Sequence, residues 1–368
     1  MRRVTKKYLV LANAGTFAFL LLVVLILNLL PGPRNRTFGW TTIRYRTTAK
    51  SLPAARGRCS GLAKSSKPAL VVARVVADGD AAWLDALSGK YHVCSYVADA
   101  PIDETSWEGQ LPANRGHEAM AYLTWIIDNY DNISAAGAVF VHGSRWAWHN
   151  DAPEYDNAAL LIALNATAAL EPYGYHNLRC DWSASTCSSK ESPPQGSLET
   201  IFKAKLQPWD ARAVSDAALL GTLRTLFDDY AIAGAASLAR SDAIRSQCCA
   251  QFIVSQERLW QHTQAEYTAL RQWLLDSGEH AAPVDDKIAG RILSYIWHIL
   301  FMQDPDRTIN LDRINAQACP TAQECYCRLY GRCNLETCTR PGRCHGQYAV
   351  PPGYRLPKGW ESSHQALL

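Results

Sequence analysis

The succession of apolar and polar positions divides the chain into three parts. Residues 8–30 carry no formally charged side chain, and 20–30 are almost wholly aliphatic. As a helix rising about 1.5 Å per residue, such a run crosses the roughly 30 Å hydrocarbon core of a bilayer. Residues 31–67 are basic and rich in Ser, Thr, Pro and Gly without a sustained apolar period, which predicts a stem. Beyond Pro68 the periodicity becomes that of a folded body. Residues 69–76 and 91–97 read as strands, with a short helix over 81–87 between them. Ala119, Leu123, Ile126, Ile127 and Tyr130 then recur at spacings of three and four, so one face of a helix is buried. Residues 138–141 form a third strand and 156–170 a further helix. The stretches 211–240 and 255–277 read as helical with 248–255 between them, and 286–302 closes the helical part.

A strand–helix–strand opening predicts an α/β domain. The expected architecture is a Rossmann-like, glycosyltransferase-A-like sheet with flanking helices over 68–310. A cytosolic tail (1–7), a transmembrane signal anchor (8–30) and a basic stem (31–67) precede it, and a small cysteine-rich C-terminal subdomain (311–368) follows.

Charge sharpens this layout. No acidic residue precedes Asp78; all 34 acidic residues and 23 of the 37 basic ones lie beyond residue 77, so the body has a formal charge of −11. Phosphate neutralisation needs clustered Lys and Arg, which excludes nucleic acid as an expected partner of the body. Basic side chains flank the apolar run evenly, with Arg2, Arg3, Lys6 and Lys7 before it and Arg34, Arg36, Arg44 and Arg46 after it, so charge does not orient the anchor. Twelve cysteines and the sequons at Asn35, Asn132 and Asn165 point to an oxidising, glycosylating lumen. The expectation is a single-pass type II protein of the endoplasmic reticulum or Golgi with a lumenal body and the membrane as a partner.

A series of short motifs carries a resemblance. Asn114-Arg-Gly-His-Glu118, Tyr122-Leu123, Asp128-Asn-Tyr-Asp131, Val139-Phe-Val-His-Gly143, Trp148-His-Asn-Asp151, Asn177-Leu-Arg-Cys180, Cys249-Ala-Gln-Phe252 and Trp297-His-Ile-Leu-Phe301 stand in this order. Over about residues 68–345 the chain resembles the fungal family known as domain of unknown function 3431, and that resemblance implies no particular reaction.

Cys319, Cys325, Cys327, Cys333, Cys338 and Cys344 lie within 26 residues. A disulfide-stapled subdomain is expected in preference to a zinc knot, because Cys325 and Cys327 lack the paired C-x₂₋₄-C spacing. Fifteen connectivities stay open. Cys59, Cys94, Cys180, Cys187, Cys248 and Cys249 can add bridges, Cys59 also between two chains.

Asp78-Gly79-Asp80 at the end of the first strand has the D-x-D form with which Asp78 and Asp80 can hold a divalent metal, Mn or Mg, on a nucleotide sugar; a turn with a helix-capping aspartate is the alternative. His142 ends a strand and His149 lies in a loop with Arg145, Trp146, Trp148 and Asp151. Strand ends at the carboxyl edge of an α/β sheet bind ligands, so His142, His149 and Asp151 are candidate catalytic residues, with Arg145 and Trp148 to bind substrate. Asn114, Arg115, His117 and Glu118 start a helix, where an anion or a cap is equally served. Ala121 stands where H-E-x-x-H would need its second ligand, and Tyr295, Trp297 and His298 read as core. The loops after residues 76 and 141 should therefore converge with 114–118 on one pocket. Three functions fit: a lumenal glycosyltransferase-like enzyme acting on glycans or glycolipids, a non-catalytic carbohydrate-binding or assembly factor, or a membrane-bound tailoring protein for a small secondary metabolite.

Overall fold

Neither 69–72 nor 138–141 offers a polar face to water, and a strand with two apolar faces belongs inside a parallel sheet covered on both sides. That is how the computed structural model folds. It describes residues 2–29, 37–101, 103, 108–227, 238–302, 308–335, 338, 340–344 and 347. Asn35, the start of the stem and most of the C-terminal tail lie outside these residues. The strands are β1 Thr37–Phe38, β2 Ala69–Arg74, β3 His92–Val97, β4 Gly109–Gln110, β5 Ala138–His142, β6 Tyr175–Asn177, β7 Phe252–Val254 and β8 Ile309–Asn310. The helices are α1 Arg2–Leu29, α2 Glu118–Asp128, α3 Asn157–Ala163, α4 Ala166–Leu170, α5 Leu198–Leu206, α6 Ala211–Phe227, α7 Gln256–Leu259, α8 Gln264–Leu275, α9 Asp286–Ser294, α10 Trp297–Phe301, α11 Leu311–Ala318 and α12 Ala322–Tyr330.

Six strands form one sheet in the order β4-β3-β2-β5-β7-β6. The first four are parallel, and β7 runs antiparallel to both β5 and β6. In β2 and β5, Ala69, Val71, Ala138 and Phe140 face one core, which α2, α6, α8, α9 and α10 complete. Leu70, Val72, Val139 and Val141 face the other, closed by the 3₁₀ turn Ala82–Leu87 with α3, α4 and α12. Phe140 and Phe252 stack at 4.9 Å between neighbouring strands, and Trp125 meets Phe140 edge-on at 5.4 Å. Each such ring taken out of water contributes about 2–3 kcal/mol.

Several expected helices are divided where a side chain caps a new start. The 156–170 helix breaks because Asn165 caps α4 by accepting from Ala168 N. The 255–277 helix breaks where Thr263 and Glu266 form a capping box ahead of α8.

Two domain expectations need correction. The expected stem lacks periodicity, yet its Phe38, Trp40, Ile43, Tyr45 and Leu62 are buried in the main core. β1 pairs with β8, Gly57 N donates to Asp128 Oδ2 (2.7 Å) and Cys59 N to Asn129 Oδ1 (2.8 Å). Single aromatic and aliphatic anchors joined by irregular backbone leave no periodic signal. The cysteine-rich segment is not a separate subdomain either: all twelve cysteines are paired, but Cys319 bonds Cys187 and Cys325 bonds Cys180, which ties α11 and α12 to the body. Cys327–Cys333 and Cys338–Cys344 are local, and Cys59 pairs with Cys94 of the same chain.

The described side chains of α1 are almost all exposed, including Leu11, Phe17 and Phe19. Those at 10–26 form its continuous described stretch, about 25 Å long. Among the described residues no helix is long and apolar enough to cross a membrane. Asn132 and Asn165 are exposed.

Candidate functional site

The sheet order contains a reversal. The chain leaves β2 toward β3 and β4 on one side, then returns to β5 on the other, so β2 and β5 flank a crevice at their carboxyl ends. This is where ligands bind in open α/β sheets. A cavity of about 880 Å³ opens there. Arg74 and Asp78 line it after β2, His142, Gly143, Trp148 and His149 after β5, and Asn114, His117 and Glu118 at the start of α2.

Gly143 sits where β5 leaves the sheet. Its N–H donates to Ala73 O (2.7 Å), and a Cβ there would lie 2.7 Å from Arg74 Cα and 2.1 Å from Arg74 Cβ. A side chain is excluded by this close approach of the two strand ends. The loop that follows is held by buried amides. Asn150 donates to the carbonyls of Ser144, Arg145 and Tyr155, and Gln251 Nε2 donates to Asn150 Oδ1 (3.1 Å). Gln251 Oε1 accepts from His142 N (3.2 Å) and Asn157 Nδ2 (3.3 Å).

His142 hydrogen-bonds the carbonyl oxygen of Cys249 through Nε2 at 2.7 Å. Its ring lies 4.2 Å from that of His149, which meets Trp148 at 5.7 Å. His149 Nε2 is buried without a hydrogen-bond partner. Burial first, then the neighbouring His142 and Arg179, push His149 down to about 2, so it is a neutral imidazole at physiological pH. Trp148 is 47% exposed at the mouth, leaving an indole face available for stacking. Arg179 donates from Nη1 to the carbonyls of Trp148 and His149 at 3.2 Å.

The start of α2 is shaped by backbone strain and by Asp286. Gly116 and His117 have φ of 72° and 52°, and Asp286 Oδ1 accepts from Gly116 N and Arg115 Nη1. Burial acts to raise the Asp286 carboxyl, but the Gly116 amide and then Arg115 hold it below the usual range.

Several expected site residues lie elsewhere. Asp151 is 2% exposed and accepts from Cys180 N, Asp181 N and the hydroxyl of Tyr326; it fastens the loop to α12 and does not line the cavity. Arg145 forms a two-pronged ion pair with Asp156 at 2.9 and 3.0 Å. Arg115 pins α9 to α2 through Asp286. The helix N-cap is His117 and not Asn114. Asp78 Oδ2 accepts from Val75 N and Asp80 Oδ1 from Ala82 N, both at 2.8 Å. These two carboxylates cap different turns, and only Asp78 lines the cavity, so the pair does not fit a shared divalent cation. Cys59, His92 and Cys94 cluster as metal ligands would, but the two sulfurs are joined to each other.

The lining also includes a basic wall. Arg212 of α6 and Lys287 and Arg291 of α9 line it, with Tyr295. Arg212 Nη2 is fixed by Ser185 O (2.9 Å) and Ser192 Oγ (2.8 Å). Burial raises the nearby Asp216 carboxyl, with Arg212 and Arg291 drawing it back. Lys287, Gly290, Arg291 and Ser294 recur at helical spacing, and that face was the available signal. Gly290 permits the close contact with His117, whose Cδ2 would lie 2.7 Å from an added Cβ.

The fold and cavity define a three-layer α/β protein with a cavity where its strand order reverses. The family model described as protein of unknown function (DUF3431) matches residues 70–328. The chain belongs to that family. Comparison with curated proteins and with solved structures finds no match.

Proposed function

We propose that this chain is a membrane-anchored, lumenal glycosyltransferase-like enzyme with a Rossmann-like body, whose crevice takes a nucleotide sugar. The observation that carries this reading is the pairing, at the sheet reversal, of a flat wall (His142, His149, Trp148) with a basic wall (Arg212, Lys287, Arg291). A nucleotide sugar has rings to stack and a diphosphate to neutralise. Since Asp78 and Asp80 do not form a joint metal site, the basic wall meets the diphosphate directly. The acceptor hydroxyl attacks the anomeric carbon, the carbon–oxygen bond to the diphosphate breaks, and Glu118 accepts the hydroxyl proton in place of Asp151. The leaving diphosphate keeps the bonding electron pair, and Arg212, Lys287 and Arg291 stabilise that charge. A small apolar metabolite gains nothing from so many charges, which speaks against the tailoring alternative.

Uridine and guanosine diphosphates titrated into the full chain in detergent with a chelator should bind. The Lys287→Ala/Arg291→Ala double variant should bind at least about 10-fold more weakly, given about 1.5–3 kcal/mol for each charged hydrogen bond. Glu118→Gln should retain nucleotide binding and lose sugar transfer. A carbohydrate-binding or assembly factor would show no transfer to lose, and absence of nucleotide binding would end the reading.

The uncharged run 8–30, the exposed apolar side chains of α1 and the six disulfides support the anchored, lumenal placement. External protease on sealed microsomes should then remove only the tail before α1. Digestion of the body would overturn it.

A further inference from the structure

Cys248 and Cys249 are bonded to each other although adjacent in sequence, and both line the cavity. Joining neighbouring residues closes a small ring around their shared peptide and removes torsional freedom from it. The next stretch is held in unusual backbone: φ is 90° at Cys249 and 49° at Ala250, both non-glycine. This segment presents the Cys249 carbonyl to His142 Nε2 at 2.7 Å. A carbonyl can only accept, so Nε2 carries a proton. Immediately beyond, Gln251 holds the His142 backbone amide and begins the approach to β7.

We propose that the Cys248–Cys249 bond is a reducible site on the cavity wall that positions His142, and that its reduction by a dithiol releases the imidazole from the Nε2–H form. The exchange balances: the dithiol gives up two electrons and two protons, becomes a disulfide, and leaves two thiols at Cys248 and Cys249. With the ring open, Cys249 can leave positive φ and withdraw its carbonyl. Both cysteines are half-buried and reached from the cavity, whereas Cys180 and Cys325 are fully buried. Cys248 and Cys249 are thus positioning residues for His142, with a dithiol as the chemical partner.

The test needs no sugar substrate, so it stands or falls apart from the transferase reading. The full chain in detergent is exposed to graded dithiothreitol without denaturant, alkylated and mapped by mass spectrometry. Cys248 and Cys249 should be modified before the fully buried Cys180 and Cys325. In parallel, nitrogen-15 spectra of labelled histidines, with His142 assigned by difference against His142→Gln, should show one Nε2–H tautomer in the oxidised chain and a mixture after this first reduction. Cys248→Ser/Cys249→Ser should reproduce the mixture without reductant; if that variant does not fold, the graded reduction alone decides. Two free thiols in the native protein, later modification than Cys180 and Cys325, or an unchanged His142 tautomer after reduction would each overturn the proposal.

Discussion

Acidification from pH 7.5 to 5 should remove about 6 kcal/mol of folding stability, comparable to the whole stability of many domains. Three buried histidines are responsible. Burial pushes His149 down to about 2 and His298 to about 3. It pushes His176 to about 4, against the Asn177 carbonyl that bonds its Nδ1. The unfolded chain titrates them near 6.5. Each folded value is depressed, so nothing is lost above pH 6.5. Below that the unfolded chain binds protons that the folded one refuses, and stability falls until the folded value is reached. At pH 5 the loss is about 2 kcal/mol per histidine. Urea unfolding of the full chain at pH 7.5 and 5 measures it. His298→Leu should restore its own share at pH 5, because His298 Nε2 is buried without a partner. A midpoint that does not move between the two pH values would refute this account.

Asp151→Ala should cost about 3–5 kcal/mol, or about 10 °C in Tm, and leave nucleotide affinity per folded molecule unchanged. The carboxylate serves Cys180 N, Asp181 N and Tyr326 Oη, and its loss strands two backbone donors in a buried place. Cys180 is also the body's end of the bond to Cys325 of α12, so the weakened contact lies where the C-terminal helix docks. Tyr326→Phe removes one of these hydrogen bonds and should cost only about 1 kcal/mol. A variant as stable as the parent that no longer binds ligand would return Asp151 to the site.

His149 illustrates how position and environment separate. Its place after a strand put it among the candidates, and the cavity does contain it. Its neutrality follows from burial beside His142 and Arg179, which no local pattern expresses. Asp151 and Arg145 belonged to the same loop and carried the same chemical promise. They are engaged by Tyr326, the 180–181 amides and Asp156, partners from 11 to 175 residues away. The basic wall has no local signature for the converse reason. Arg212, Lys287 and Arg291 sit on ordinary amphipathic helices, and only the packing of α6 beside α9 brings them to one surface.

What the sequence by itself determined is the sheet centre and the edge where its parallel strands end. Two-sided apolar runs at 69–72 and 138–141 have one favourable environment, between helical layers, and parallel strands must then end on the same side. That sufficed to bring Asp78, Asn114, Glu118, His142, Trp148 and His149 to one cavity. Tertiary structure alone decided the disulfide pairing, the docking of 38–62 into the core, the use of Asp78 and Asp80 as caps, and the basic part of the cavity lining. Each of these depends on contacts between segments far apart in the chain, whose free energies are settled by packing and desolvation rather than by any local preference for helix, strand or turn.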